Sequence, residues 1–202
     1  MMNFEHQVWK VFKDAELALH NNFILCISGG LDSMVLLEVF AKIKAQAKIQ
    51  VLHYHHGATS DLKLQKFRDD NLKLIKSKVD QLKLANIQFH SEISETELTT
   101  EEQMREARWA YIKSFKISDE VVVTAHHLDD RFETMLLKMI RGTGVEGFSS
   151  FKVWNQEVFR PFLNFSKSEL LDYAQKQNID WNTDPSNLDE SYLRNWIRAV
   201  SY

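Results

Sequence analysis

The sequence holds one cysteine, Cys26, with two prolines and six glycines in 202 residues. A single thiol cannot close an internal disulfide, and it excludes zinc or iron–sulfur sites that draw several cysteine ligands from this chain. So few glycines and prolines leave no linker-like stretch, and no repeat or low-complexity tract is present. No apolar run approaches the roughly 20 residues that a membrane-spanning helix needs. The start, Met-Met-Asn-Phe-Glu-His, shows no basic stretch followed by an apolar one, so a cytoplasmic protein without membrane contact is the expectation. Excess charge is missing too. A formal net charge of −3 does not advertise a nucleic-acid partner, so any basic surface has to be local.

What is present suffices for a real core, with 44% hydrophobic and 26% charged residues. The length suits one large domain, or one with a small appendage. The chain is organised around residues 23–34, Phe-Ile-Leu-Cys-Ile-Ser-Gly-Gly-Leu-Asp-Ser-Met. The apolar run predicts a buried strand at 23–28, and the periodic segment after the glycines predicts a helix over about 32–45. A strand, a glycine turn and a helix in that order present backbone N–H groups at a positive helix end, which suits a phosphate. The lysine of G-x-x-x-x-G-K-[ST] is absent, and so is G-x-G-x-x-G. Instead Ser28, Gly29, Gly30, Leu31, Asp32 and Ser33 offer two hydroxyls and a carboxylate. Two readings stand side by side: a tight turn with Asp32 or Ser33 as a helix cap, or a pyrophosphate cradle in which Asp32 orients a metal or a reacting group.

Apolar positions Phe4, Val8, Phe12, Ala15 and Leu19 predict a first helix over 4–20. A second strand ends near His55-His56-Gly57, giving a βαβ unit and hence a parallel sheet. The lysine-rich stretch 61–85 reads as a helix with a solvated face, with a nucleic-acid track as the alternative. Ile87 to Ile93 alternates as a third strand, 101–116 reads as a helix, and Glu120 to Thr124, with three consecutive valines, as a buried strand. That strand runs into His126-His127-Leu-Asp129-Asp130 and a helix stopped by Gly142. Asp130 and Glu133, three residues apart, share one face of its first turns. Ligands of open α/β sheets bind at the carboxyl edge, so Ser28–Ser33 and His126–Glu133 are expected neighbours. Further on, Val158 to Phe162 is a possible strand. Ser166 to Gln177 opens on a capping-box pattern, and 188–200 reads as a last helix with Arg194 and Arg198 one turn apart. The histidines lack the spacing of a transition-metal site.

Several motifs together carry a family resemblance. Ser28-Gly-Gly-Leu-Asp32-Ser33 resembles the pyrophosphatase-type loop (PP-loop) of ATP-dependent adenylating enzymes. Ala125-His-His-Leu-Asp-Asp130-x-x-Glu133-Thr narrows this to tRNA-modifying members. Arg141-Gly-Thr-Gly-x-x-Gly147, Arg160-Pro161-Phe-Leu and Asp184-Pro-Ser186-Asn187…Arg194-Asn195-x-Ile-Arg198 narrow it further. The series, spanning 23–198, is similar to the tRNA(Ile)-lysidine synthetase catalytic domain. The resemblance implies a Rossmann-like α/β fold of the adenine nucleotide alpha hydrolase type. That fold is an open parallel sheet with helices on both faces and a short helical C-terminal extension. It divides the chain into a PP-loop ATP-binding domain, 1–150, and a segment completing the catalytic domain, 151–202.

The implied reaction has two steps. ATP adenylates the 2-carbonyl oxygen of the wobble cytidine in a tRNA(Ile) with a CAU anticodon, and free L-lysine then displaces AMP to give lysidine. ATP and Mg2+ are the implied cofactors, with Asp32 positioning the metal near the α-phosphate and residues 28–33 holding the phosphates. Asp32, Asp130, Glu133 and Arg108 form the implied catalytic group. Asp130 and Glu133 read the cytosine edge or hold the lysine ammonium, and a carboxylate beside that amine could take its proton. Arg105, His127, Arg141, Arg160, Arg194 and Arg198 are the candidates for touching tRNA or lysine. Trp109 stands where the family has tyrosine, and the basic residue expected soon after His56-Gly57 is absent. Relatives usually continue into further tRNA-gripping domains, whereas this sequence stops at Tyr202. The core acting alone, as a homodimer, or as a piece of a longer chain all remain open. Two rival functions share the motifs: a PP-loop tRNA thiolase, disfavoured by the single cysteine, and an inactive ATP- or tRNA-binding module.

Overall fold

A computed structural model describes residues 3–117, 119–140, 142 and 152–185. Eleven elements are described, in chain order: α1 Phe4–Asp14, β1 Asn22–Cys26, α2 Leu31–Ile43, β2 Lys48–His55, α3 Leu62–Leu82, β3 Ile87–Ile93, α4 Glu101–Phe115, β4 Val121–Val123, α5 Leu128–Ile140, β5 Val158–Phe159 and α6 Lys167–Lys176. The strands form one sheet in the order β3-β2-β1-β4-β5. Every pairing between these strands is parallel, with Leu25 opposite both Val51 and Val123. The chain leaves β1 toward β2 on one side and returns to β4 on the other, so the strand order reverses at β1. The crevice outside the carboxyl ends of β1 and β4 is where such sheets bind ligands.

Alternation along β1 sorts the two core layers. Phe23 and Leu25 face a large cluster built from α1, α2, α6 and the buried stripe of α3. Ile24 faces a smaller one with Leu52, Val122, Val158 and, from α4, Tyr111 and Ile112. Helices therefore cover both faces, as a parallel sheet requires. In α2, Met34 to Leu37, Val39 and Phe40 are all fully buried, which makes it the central helix rather than an amphipathic surface one. Its end is tied down by Lys44, whose Nζ donates to the carbonyls of Leu17, Ala18 and His20 at 3.3, 2.7 and 2.8 Å. Those three acceptors match the three donors of an ammonium.

The first helix and the fifth strand stop well short of their sequence patterns. The first helix ends at Asp14, because Glu16 takes φ 61 and Leu17 turns back to donate to Phe12 O. Leu17 thereby reaches the core, and Leu19, expected on the buried stripe, is 91% exposed. The fifth strand stops at Phe159, since Pro161 has no N–H and Arg160 N donates sideways to Val153 O. The capping box expected at Ser166 and Glu169 is formed. The helix expected over 188–200 lies outside the described residues. Among the described residues, no helix is long and apolar enough to cross a membrane.

Candidate active site

The loop between β1 and α2 is held open from within. Ser33, 5% exposed, accepts from the backbone N–H groups of Ser28 and Gly29 at 3.2 and 3.1 Å and donates to Gly30 O at 2.9 Å. Its hydroxyl also lies 3.1 Å from Ser28 Oγ. Ser33 thus acts as the internal brace of the turn. Gly29 sits at φ 90. Gly30 is the N-cap of α2 and has no side chain to cap it, so the amides of the first helical turn point past the helix end. That arrangement favours an anion.

Opposite the loop, α5 starts directly after β4. His127 is 4% exposed, and three carboxylates surround its ring. Nε2 lies 3.6 Å from Asp32 Oδ2 and 3.5 Å from Asp130 Oδ2, while Nδ1 lies 3.3 Å from Asp129 Oδ2. Burial disfavours the charged ring, but Asp32, Asp130 and Asp129 outweigh it and hold the His127 pKa above its ordinary value. Asp130 also reaches back to accept from His127 N at 3.0 Å, a cap on the first turn. Asp129 accepts from Lys167 N at 2.8 Å and so ties the start of α6 to α5. Glu133, 6% exposed, lies one turn beyond Asp130. The expected meeting of the loop with the Asp130–Glu133 helix is therefore observed, with His127 as the bridge.

Asp32 Oδ1 is buried and accepts no hydrogen bond. A carboxylate oxygen in that position favours a cation. Among the described residues, no three His, Cys, Asp or Glu side chains are grouped to hold a metal ion. Mg2+ needs no such cage, because one or two carboxylates with phosphates and waters complete its octahedron. Asp32 thus fits a metal that arrives with a nucleotide.

Loop and helix line one cavity of about 1040 Å3. Arg105 and Arg108, both exposed on α4, and Arg160, 9% exposed, also line it. The Arg160 guanidinium donates to the carbonyls of Lys152 and Val158 at 3.1 and 3.4 Å, which ties it to the backbone around β5. Cys26 lies on the wall, and burial pushes its thiol up to about 12. Arg141, Arg194 and Arg198 fall outside the described residues.

Three lining residues escape the motif reading. Arg68 and Asn71 belong to the lysine-rich stretch expected to be solvated, yet they are 7% and 4% exposed. The lysines at 63, 66, 73, 76 and 83 are indeed exposed. The missed signal is a buried stripe, Arg68, Asn71, Ile75 and Val79, at helical spacing. Asn182, from the segment after α6, donates its backbone N–H to Gly29 O at 3.1 Å. No local pattern announces that contact.

A doubly covered parallel sheet, a loop with uncapped helix-start amides at its switch point and an acidic helix facing that loop are the features of a nucleotide-binding α/β domain. The pattern of the PP-loop domain matches residues 1–201, and the chain belongs to that family. It is 35% identical over 196 residues to a tRNA(Ile)-lysidine synthase of Haemophilus influenzae, a match covering 92% of this chain and 44% of that protein. The tRNA(Ile)-lysidine synthase of Bdellovibrio bacteriovorus is 31% identical over 198 residues, 97% of this chain and 60% of that protein. The chain thus spans roughly half the length of these relatives. Among solved structures, the U34-tRNA thiolase NcsA from Methanococcus maripaludis, with its [4Fe-4S] cluster, superposes with a TM-score of 0.70. That match has 15% identity and covers 97% of this chain and 69% of that one. An NH3-dependent NAD synthetase from Campylobacter jejuni gives a TM-score of 0.52 at 15% identity, covering 100% and 84%. These two likenesses concern the fold.

Proposed function

We propose that this domain uses ATP to join lysine to the wobble cytidine of a tRNA(Ile) with a CAU anticodon, forming lysidine. The observation that carries the reading is His127 Nε2, just before α5, which lies 3.6 Å from Asp32 of the loop and 3.5 Å from Asp130 of α5. It joins a phosphate-binding end to an acidic end in one cavity. The relatives named for this reaction, at 31–35% identity over nearly the whole chain, support the same choice.

In this reading the free amides at the start of α2 hold the phosphates while the cytosine 2-oxygen attacks the α-phosphorus and pyrophosphate leaves. A Mg2+ ion bound through Asp32 would neutralise charge developing on the phosphates. Asp130 and Glu133 hold the lysine ammonium or the cytosine edge, and a carboxylate there takes the proton that makes the amine nucleophilic. The amine then attacks C2, and AMP departs with the oxygen. Arg105, Arg108 and Arg160 supply positive charge at the cavity wall for the nucleic-acid backbone. A thiolase would need a reactive sulfur, and Cys26, with its thiol pushed up to about 12, is poorly suited.

The test is purified protein incubated with ATP, Mg2+, lysine and unmodified tRNA(Ile) bearing CAU. Lysidine in digested tRNA, with AMP and pyrophosphate released in step, is the expected result, and Asp32→Ala should abolish all three. Pyrophosphate release without lysine isolates the adenylation step. Thiolated tRNA with a sulfur donor, and no lysidine with lysine, would overturn the assignment.

A further inference from the structure

The cavity wall holds a buried cation that the reaction just outlined leaves unused. Arg68 lines the cavity from α3, and its Nη1 donates to Gly57 O at 2.9 Å and His56 O at 3.3 Å. Among the described residues, its hydrogen bonds run from that one nitrogen. Nη2 and Nε are not fully enclosed, and the residue lines the cavity. Two carbonyls therefore clamp one arm of the guanidinium and leave the rest of the fork available.

The stretch of α3 that carries Arg68 lies beside the loop. The helix α3 follows β2, so its N-terminal end lies over the carboxyl edge of the sheet. Asn71, on the same buried stripe as Arg68, packs directly on Gly29: a Cβ built on that glycine would lie 2.5 Å from Asn71 Oδ1. Arg68 stands three residues nearer the N-terminus, about 4.5 Å along the axis. It is therefore on the cavity side of the Asn71–Gly29 contact. The other cavity arginines come from elsewhere, Arg105 and Arg108 from α4 on the opposite face of the sheet and Arg160 from beyond β5. The turn from His56 to Asp61 carries no lysine or arginine of its own. The carboxylates whose fields reach Arg68 are Asp184 and Glu97.

We propose that Arg68 binds the β- and γ-phosphates of ATP and remains on the pyrophosphate until it leaves, so that α3 supplies the cation missing from the turn after β2. The assignment rests on the reading of this domain as an ATP-dependent adenylating enzyme. It does not depend on which tRNA or which nucleophile follows.

Calorimetric titration of the protein with Mg-pyrophosphate, and separately with AMP, tests it in wild type, Arg68→Gln and Arg68→Lys. Gln should weaken pyrophosphate about 10- to 100-fold, the range for one charge-assisted contact, and leave AMP within about 2-fold. Lys keeps the charge but loses the planar fork, and should fall between Gln and wild type. Unchanged pyrophosphate affinity in a folded Gln variant would overturn the proposal. So would an equal loss for pyrophosphate and AMP in both variants, which would make Arg68 a clamp of the 56–57 turn and nothing more. A wild-type protein that binds ATP and pyrophosphate but makes no lysidine overturns only the substrate assignment. One that binds neither overturns both readings.

Discussion

Asn182 donates its side-chain amide to Asn71 Oδ1 at 2.9 Å across 111 residues of sequence. Its backbone N–H meets Gly29 O at 3.1 Å. Two segments that follow different strands thus grip Gly29 of the β1–α2 loop from outside. This leaves the inner side of the loop to face the cavity, and it makes loop geometry a tertiary property.

Gly29 should be the least replaceable residue of that junction. Its φ of 90 strains any side chain, and an added Cβ would lie 2.5 Å from Asn71 Oδ1. Gly29→Ala is expected to lower stability by about 1–3 kcal/mol and nucleotide-dependent pyrophosphate release by at least about 100-fold. Adding Asn71→Gly relieves the clash but not the backbone strain, and itself costs the Asn182 hydrogen bond, so the double variant should lose less than the sum of the two single losses. Urea unfolding of the four proteins in that cycle measures the coupling. Strictly additive effects would mean that the contact with Asn71 does not matter.

Burial, followed by the nearby Arg108 and Arg68 guanidinium groups, pushes the His56 pKa down from 6.5 to about 4. The folded state therefore favours the neutral ring. Its stabilising contribution is complete above about pH 6.5, the unfolded value, and is lost as pH falls toward 4. His126 is pushed to about the same value, mainly by burial. Unfolding free energy should fall across this window, each ring adding up to about 1.4 kcal/mol per pH unit to the slope. His56→Gln should flatten the curve by one ring. Identical slopes in wild type and variant would refute the assignment.

Two substitutions separate the structural role of Asp130 from the chemical role proposed for it. Asn can still accept from His127 N, so Asp130→Asn should retain stability to within about 1 kcal/mol, whereas Ala loses the cap and about 1 kcal/mol more. Both remove the carboxylate, and both should reduce lysidine formation by about 100-fold or more if that charge positions the amine. The Asn variant should also lower the His127 midpoint, seen in its ring NMR signals, because one of the carboxylates raising it is gone.

Lys44 provides a control remote from the site. Lys44→Met leaves three carbonyls around a buried methyl group and should destabilise the protein by about 1–3 kcal/mol. Pyrophosphate release per folded molecule should be unchanged. A loss of activity at full folding would show that the end of α2 communicates with its beginning.

Much of this was legible from the chain alone because it depends on neighbours in sequence. The strand–glycine–helix order at 23–34 and the run of valines at 121–123 follow from local periodicity and turn chemistry. So do the capping box at Ser166 and the shared face of Asp130 and Glu133. The parallel order then required that the loop and α5 meet at one sheet edge. Only the tertiary structure turned Ser33 into an internal brace, set His127 among three carboxylates, and drew Arg68 and Asn71 out of a lysine-rich surface helix into the cavity. The reason is range. Periodicity and caps act over a few residues, whereas burial of one polar side chain is decided by what packs against it from segments about 100 residues away, and a composition dominated by its solvated neighbours hides it.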